Sequence, residues 1–145
     1  MNLKEIMYAR RSIRKFKDTK VKDEDIKYLL EVAMSAPSAC NRTPWEFYVV
    51  TNQEVLDKFY TIRPMRYKAP LAIVVCGNTN FTLKEHLADY YIQDCSAAIE
   101  NILLGATELG LGSCWCGIVP QIDRMAQAKE FLSLQDNIDS LRLNN

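Results

Sequence analysis

An α+β domain of three layers, α/β/α, with helices packed around a small mixed sheet, is the fold this sequence predicts, and three observations point to it. Residues 71–76 form a continuous apolar, β-rich run between Pro70 and Gly77, the pattern of a strand covered on both faces. Two further β-branched and aromatic runs, 46–50 and 113–119, supply neighbours for it. Helical periodicities separate and flank these runs, and a strand buried on both faces needs helices above and below.

The elements follow in order. Asn2 with Glu5 three residues on has the form of a capping box, so a short helix runs to about Ala9, and residues 10–14 leave it. Asp23 can cap a second helix, on which Ile26, Leu29, Leu30, Ala33 and Met34 share one face, ending before Pro37. Residues 38–44 are polar and turn-rich and lead into the strand at 46–50. Thr51 to Glu54 is another capping-box candidate, opening a helix with Val55, Leu56, Phe59 and Tyr60 inward, and a loop with Pro64 follows. The longest helix runs from about His86 to Leu109. Its polar residues Asp89, Gln93, Ser96, Glu100 and Thr107 make only a narrow stripe, so most of its circumference is buried. Gly110 suits its C-terminal cap, and Gly112 loosens the turn into the third strand. A last helix spans about 122–131, and residues 133–145 are mostly polar with no convincing core face.

Composition sets the bounds. A chain of 145 residues, 48% hydrophobic and 25% charged, makes one sizeable core, so residues 1–145 read as one domain. Lys4, Glu5, Arg10 and Arg11 interrupt any apolar leader, and the longest clearly apolar stretch is far short of the roughly 20 residues a spanning helix needs. A cytoplasmic protein without a membrane segment is expected. Five cysteines in apolar surroundings read as reduced thiols rather than a disulfide framework. Net charge is zero, yet residues 1–22 carry +6 and the remainder −6. Without aromatic interleaving or a basic domain, that asymmetry fits a small phosphorylated ligand better than nucleic acid or a membrane.

Two segments concentrate chemistry. Arg10, Arg11, Ser12 and Arg14 place three guanidinium groups and a hydroxyl within five residues, able to make bidentate contacts with phosphate. A cationic surface turn is the ordinary explanation of such a pentapeptide taken alone. The loop from Ala36 to Trp45 sets Ser38, Ala39 and Asn41 between two prolines. Small residues there let a flat ring approach the backbone, and the amide can bond a heterocycle edge; its ordinary explanation is a turn with a core tryptophan.

Together, in this order and separation, these segments resemble the nitroreductase family, with its Arg-x-Ser-x-Arg start and Ser-x-x-Asn-x-x-Pro-Trp loop. Lys68-Ala69-Pro70 entering a buried strand, Glu108 to Gly112 ending a long helix, and Ser113-Cys114-Trp115-Cys116-Gly117 are similar to the family pattern as well. The resemblance covers the chain to about Leu134. It implies FMN as cofactor, with Arg10, Arg11, Ser12 and Arg14 at its phosphate and ribityl chain. Ser38, Ala39 and Asn41 would reach the flavin of the partner subunit, and the Cys114, Trp115, Cys116 and Gly117 backbone would lie beside the ring. It further implies a homodimer with a shared site and an electron pair taken from NADH or NADPH. Nitroaromatic, quinone or similar acceptors would then be reduced in a ping-pong cycle that requires no protein acid or base.

Two departures stand out. Thr43 occupies the position where the loop usually carries glutamine. Asn145 ends the sequence where relatives continue into another strand, a Gly-x-Pro turn and a basic residue at the phosphate, so the usual C-terminal strand is expected to be missing and FMN affinity to suffer. A flavin-binding or dimeric relative without turnover is the rival reading, and a nucleic-acid module on the basic segment is a third. A metal site on Cys114 and Cys116 is poorly supported, because His86 is the only histidine and a structural zinc wants about four ligands. Cys40 beside Arg42 is the one thiol with electropositive company. Arg63 and Arg66 are candidates for the adenosine phosphate of the nicotinamide.

Overall fold

The computed structural model describes residues 1–62 and 68–144. Pro64, Arg63 and Arg66 therefore lie outside the described residues. The order is α1 (Leu3–Ala9), α2 (Asp23–Met34), β1 (Trp45–Val50), α3 (Gln53–Ile62), β2 (Ala72–Asn78), α4 (Tyr90–Glu108), β3 (Cys114–Cys116), α5 (Ile122–Leu132) and β4 (Ile138–Asn144), with single 3-10 turns at Ala39–Asn41 and Glu85–Leu87.

The strands pair in the order β1-β2-β4-β3, each pair antiparallel. A single parallel bridge between Ser12 and Ser113 stands outside these strands, just before β3. Every residue of β2 is buried, and alternate residues serve two cores. Leu71, Ile73 and Val75 face a cluster with Leu29, Ala33, Ile99 and Ile102 of α2 and α4. Ala72, Val74 and Cys76 face Leu56, Phe59 and Ala128 of α3 and α5. Helices thus lie on both faces, which is the three-layer arrangement.

Local signals act as written in most elements. Asn2 accepts the Glu5 N–H while Glu5 accepts the Asn2 N–H, closing the capping box. Gly110 has φ 73° after α4, where Leu111 N–H bonds Ala106 O and Gly110 N–H bonds Thr107 O, the paired bonds of a Schellman cap. Other boundaries move. Lys22, not Asp23, is the residue before α2, and Asp23 supplies charge to its first turn. Asn52 rather than Thr51 caps α3, its Oδ1 accepting the Val55 N–H. The 86–109 helix begins at Tyr90, since 85–87 form a separate turn. The strand expected over 113–119 is confined to Cys114–Cys116.

The larger correction concerns the C-terminus. The strand expected to be missing is present as β4, seated between β2 and β3. Its polar sequence concealed it, because in this place backbone pairing on both sides, rather than an apolar run, holds the strand. Ile138 is buried, and Asp139 is accommodated by Lys129 at 2.9 Å and by the Tyr91 hydroxyl at 3.4 Å. No helix among the described residues is long and apolar enough to cross a membrane.

Tyr91 also fixes how α4 meets the sheet. A Cβ on Gly77 would stand 2.1 Å from Tyr91 Cδ2 and 2.9 Å from Cγ, so the ring lies directly on the β2 backbone. Gly77→Ala is expected to cost about 1–3 kcal/mol in urea unfolding through overpacking; an unchanged midpoint would contradict this contact.

Candidate functional site

α1 ends at Arg10, whose N–H bonds Ile6 O at 2.9 Å, and an extended backbone then carries residues 11–14 away from the helix. Ile13 N–H donates to Ser113 O at 2.8 Å beside the Ser12–Ser113 bridge, which lays the basic segment along the residue entering β3. Gly112 permits this approach, for a Cβ there would sit 2.8 Å from Ile13 Cγ2 and 3.0 Å from its Cβ. Arg10 Nε is 3.5 Å from Glu100 Oε1 of α4, and Arg11 Nε donates to Ala9 O at 3.0 Å. Ser12 and Arg14 are exposed, and Arg14 makes no ion pair or side-chain hydrogen bond with a described residue.

β3 presents the neighbouring surface. Cys114 and Cys116 are buried beneath it while Trp115, 38% exposed, and Gly117 face outward. A Cβ on Gly117 would meet nothing nearer than Val119 O at 4.0 Å, so the backbone there lies open. Gly117 O accepts a hydrogen bond from Arg124 Nη1 at 3.3 Å. The fold therefore brings the two segments 10–14 and 114–117, a hundred residues apart in the chain, to one sheet edge.

The 36–45 loop is built differently and stands elsewhere. Cys40, Asn41 and Thr43 take φ of 51°, 52° and 44°, left-handed backbone that L-residues, and above all β-branched threonine, adopt only when held. Three kinds of bond hold it. Ser38 Oγ accepts the Thr43 N–H at 2.9 Å, leaving its own hydroxyl proton for another partner. Asn41 and Arg42 N–H bond Ser38 O and Ala39 O, and Asn78 N–H bonds Pro44 O at 2.7 Å as the chain enters β1. Ala39 N–H donates to Asp94 Oδ1 of α4 at 2.7 Å. Because β1 and β3 are opposite edges, three strand spacings or about 14 Å apart, the structure does not gather Ser38, Ala39 and Asn41 with the basic segment in the way it gathers 114–117.

Asp94 and Glu100, which tie the 36–45 loop and the basic segment to α4, were not singled out from the sequence as site residues. An acidic residue lying off the polar stripe of a largely apolar helix was the available signal for Asp94. The thiols offer little nucleophilic chemistry. Burial pushes Cys95 up to about 12 and Cys76 higher still, so both stay protonated at ordinary pH. Cys40 is exposed, as is His86. Among the described residues no group of three or more His, Cys, Asp and Glu is placed to hold a metal ion.

Comparison with known proteins bears on this geometry. The model of the Nitroreductase family matches residues 7–65 and 59–142. A protein of Archaeoglobus fulgidus is 46% identical over 136 residues, spanning 92% of this chain and 77% of the relative. A crystal structure from Parabacteroides distasonis ATCC 8503 has a TM-score of 0.90 at 38% identity, covering 97% of this chain and 83% of the other. Both are named "Putative NADH dehydrogenase/NAD(P)H nitroreductase". A Desulfovibrio desulfuricans structure, "a putative nitroreductase in complex with fmn", has a TM-score of 0.80 at 27% identity, covering 97% and 82%.

The contact at Gly112 can be tested without any ligand. Gly112→Ala is expected to lift Ile13 from residues 112–113 and loosen the basic segment, so that trypsin cuts after Arg11 and Arg14 severalfold faster than in the parent. Equal cleavage rates would mean that Ile13 does not seat the segment.

Proposed function

This chain belongs to the nitroreductase family, and we propose that it works as an FMN-dependent oxidoreductase that passes electron pairs from NADH or NADPH to nitroaromatic, quinone or similar small acceptors. The observation that carries the proposal is the Ser12–Ser113 bridge, which sets a cationic segment beside an open stretch of backbone. That pairing suits a phosphorylated flat ring. Among the described residues Arg14 has no carboxylate partner, Ser12 is exposed, and a Cβ on Gly117 would meet nothing nearer than Val119 O at 4.0 Å.

In this reading Arg10, Arg11, Ser12 and Arg14 hold the phosphate and ribityl chain. Glu100 orients the Arg10 guanidinium, while Arg14 is left to form its charge-assisted bonds with the ligand. The backbone of Cys114, Trp115, Cys116 and Gly117 would lie beside the ring, where the main-chain N–H groups not used in pairing with β4 would favour added electron density on it. When bound, FMN supplies the electron-transfer chemistry, and donor and acceptor use the same pocket in turn. No side chain of this chain needs to act as acid or base.

The site is completed by a second copy. Ser38, Ala39 and Asn41 stand toward the opposite sheet edge from β3, which suits a loop that reaches the ring held by the partner subunit. On α1, beside the basic segment, Leu3, Met7 and Tyr8 are 67%, 59% and 78% exposed, an apolar surface that a partner would cover. The reading takes residues 1–145 as one domain of a homodimer.

Titration of purified protein with FMN, followed by anaerobic NADH or NADPH, tests it. Binding near one FMN per chain with rapid bleaching is expected, in a particle that light scattering sizes as a dimer. Arg14→Ala is expected to weaken FMN binding about ten- to hundredfold, the loss of a charged hydrogen bond. Absence of saturable FMN binding by the parent protein would overturn the proposal; saturable binding without bleaching by either nucleotide would leave a flavin-binding relative rather than a reductase.

A further inference from the structure

Asp94 is 6% exposed, a carboxylate set within α4 between Cys95 and the half-buried stripe of the helix. Buried carboxylates persist where hydrogen-bond donors repay their lost hydration. The donor here is a main-chain N–H from a segment 55 residues away, Ala39, at 2.7 Å. Asp94 thus bonds the turn Ala39–Asn41, which contains Asn41 and follows Ser38, both candidates for contact with the flavin. The loop closes on itself through Ser38 and Thr43 and is fastened to β2 at its exit through Pro44 O. Its turn is fastened to a helix through Asp94.

A second carboxylate on the same helix does the corresponding task for the other segment. Glu100 stands six residues further on and pairs with Arg10 at 3.5 Å. Six residues advance about 9 Å along a helix and turn well away from the first face. One rigid element therefore sets both the loop at one edge and the basic segment at the other.

We propose that Asp94 is a positioning residue that holds Ser38, Ala39 and Asn41 in the form that meets FMN across the dimer, so that each subunit's Asp94 governs flavin affinity at its partner's site. This inference rests on the shared-site reading given above. It differs from an ordinary folding role in one respect: the effect of losing the carboxylate appears in the other subunit.

Two substitutions separate the bond from the volume. Asp94→Leu fills the space without an acceptor and is expected to weaken FMN binding about tenfold or more, whereas Asp94→Asn retains an acceptor oxygen and is expected to stay within roughly threefold of the parent. The decisive measurement uses mixed dimers of Asp94→Leu with Arg14→Ala chains. Acting across the dimer, the two defects fall on one site and leave the other intact, so mixed dimers recover one tight FMN per dimer that neither parental variant shows. No recovery, or an Asp94→Leu protein that binds FMN as tightly as the parent, would overturn the proposal. Failure of the unsubstituted protein to bind FMN would instead refute the function itself. Should Asp94→Leu not fold, hydrogen exchange in the unsubstituted protein decides: a strongly protected Ala39 amide is expected, and exchange at the rate of a free loop amide would overturn it.

Discussion

Among the described strands, β3 is joined to the sheet through β4 alone. Its three residues pair with Asn144, Leu143 and Arg142, and on the far side of β4 the same strand is laced to β2 over seven residue pairs. A three-residue strand has too few ladder bonds to place itself, so its position is inherited from its neighbour. The Ser12–Ser113 bridge inherits it in turn, and with it the direction in which Ser12 and Arg14 project. The cationic edge is thus the last link of a chain of pairings that begins at the buried β2.

α4 supplies the second frame. Its small residues allow close approach: a Cβ on Gly105 would come within 3.1 Å of Val32 and 3.3 Å of Leu29, so α2 and α4 lie nearly backbone to side chain along this stretch. At its other end Tyr91 rests on Gly77. Fixed at both ends, the helix can carry carboxylates whose placement transmits to loops. Elements far apart in the chain are brought into one frame by a helix that itself has little freedom to shift.

What could be read from the sequence followed from how local the cause was. β2 announced itself because both its faces meet apolar layers, and Gly110 because a left-handed cap has one cheap residue. The three-layer fold followed from these patterns, and the basic segment and the loop were visible as chemistry. β4 was not visible, since Asp139 in a central strand makes sense only once Lys129 and Tyr91 are beside it. Asp94 likewise has no sequence neighbour that explains it; its partner is a backbone amide whose type is irrelevant. The left-handed run at Cys40, Asn41 and Thr43 is written in bonds from Ser38, Asp94 and Asn78 rather than in glycines.

That run has a thermodynamic meaning of its own. A loop of ordinary residues held in left-handed backbone has surrendered its conformational entropy during folding, before any ligand arrives. A flat molecule meeting it encounters a preformed wall and need not order a flexible one. If the loop meets the flavin as proposed, selection among ligands would depend on fit to a fixed contour, and ligands too thick or too bent for it would be refused without any group moving to reject them.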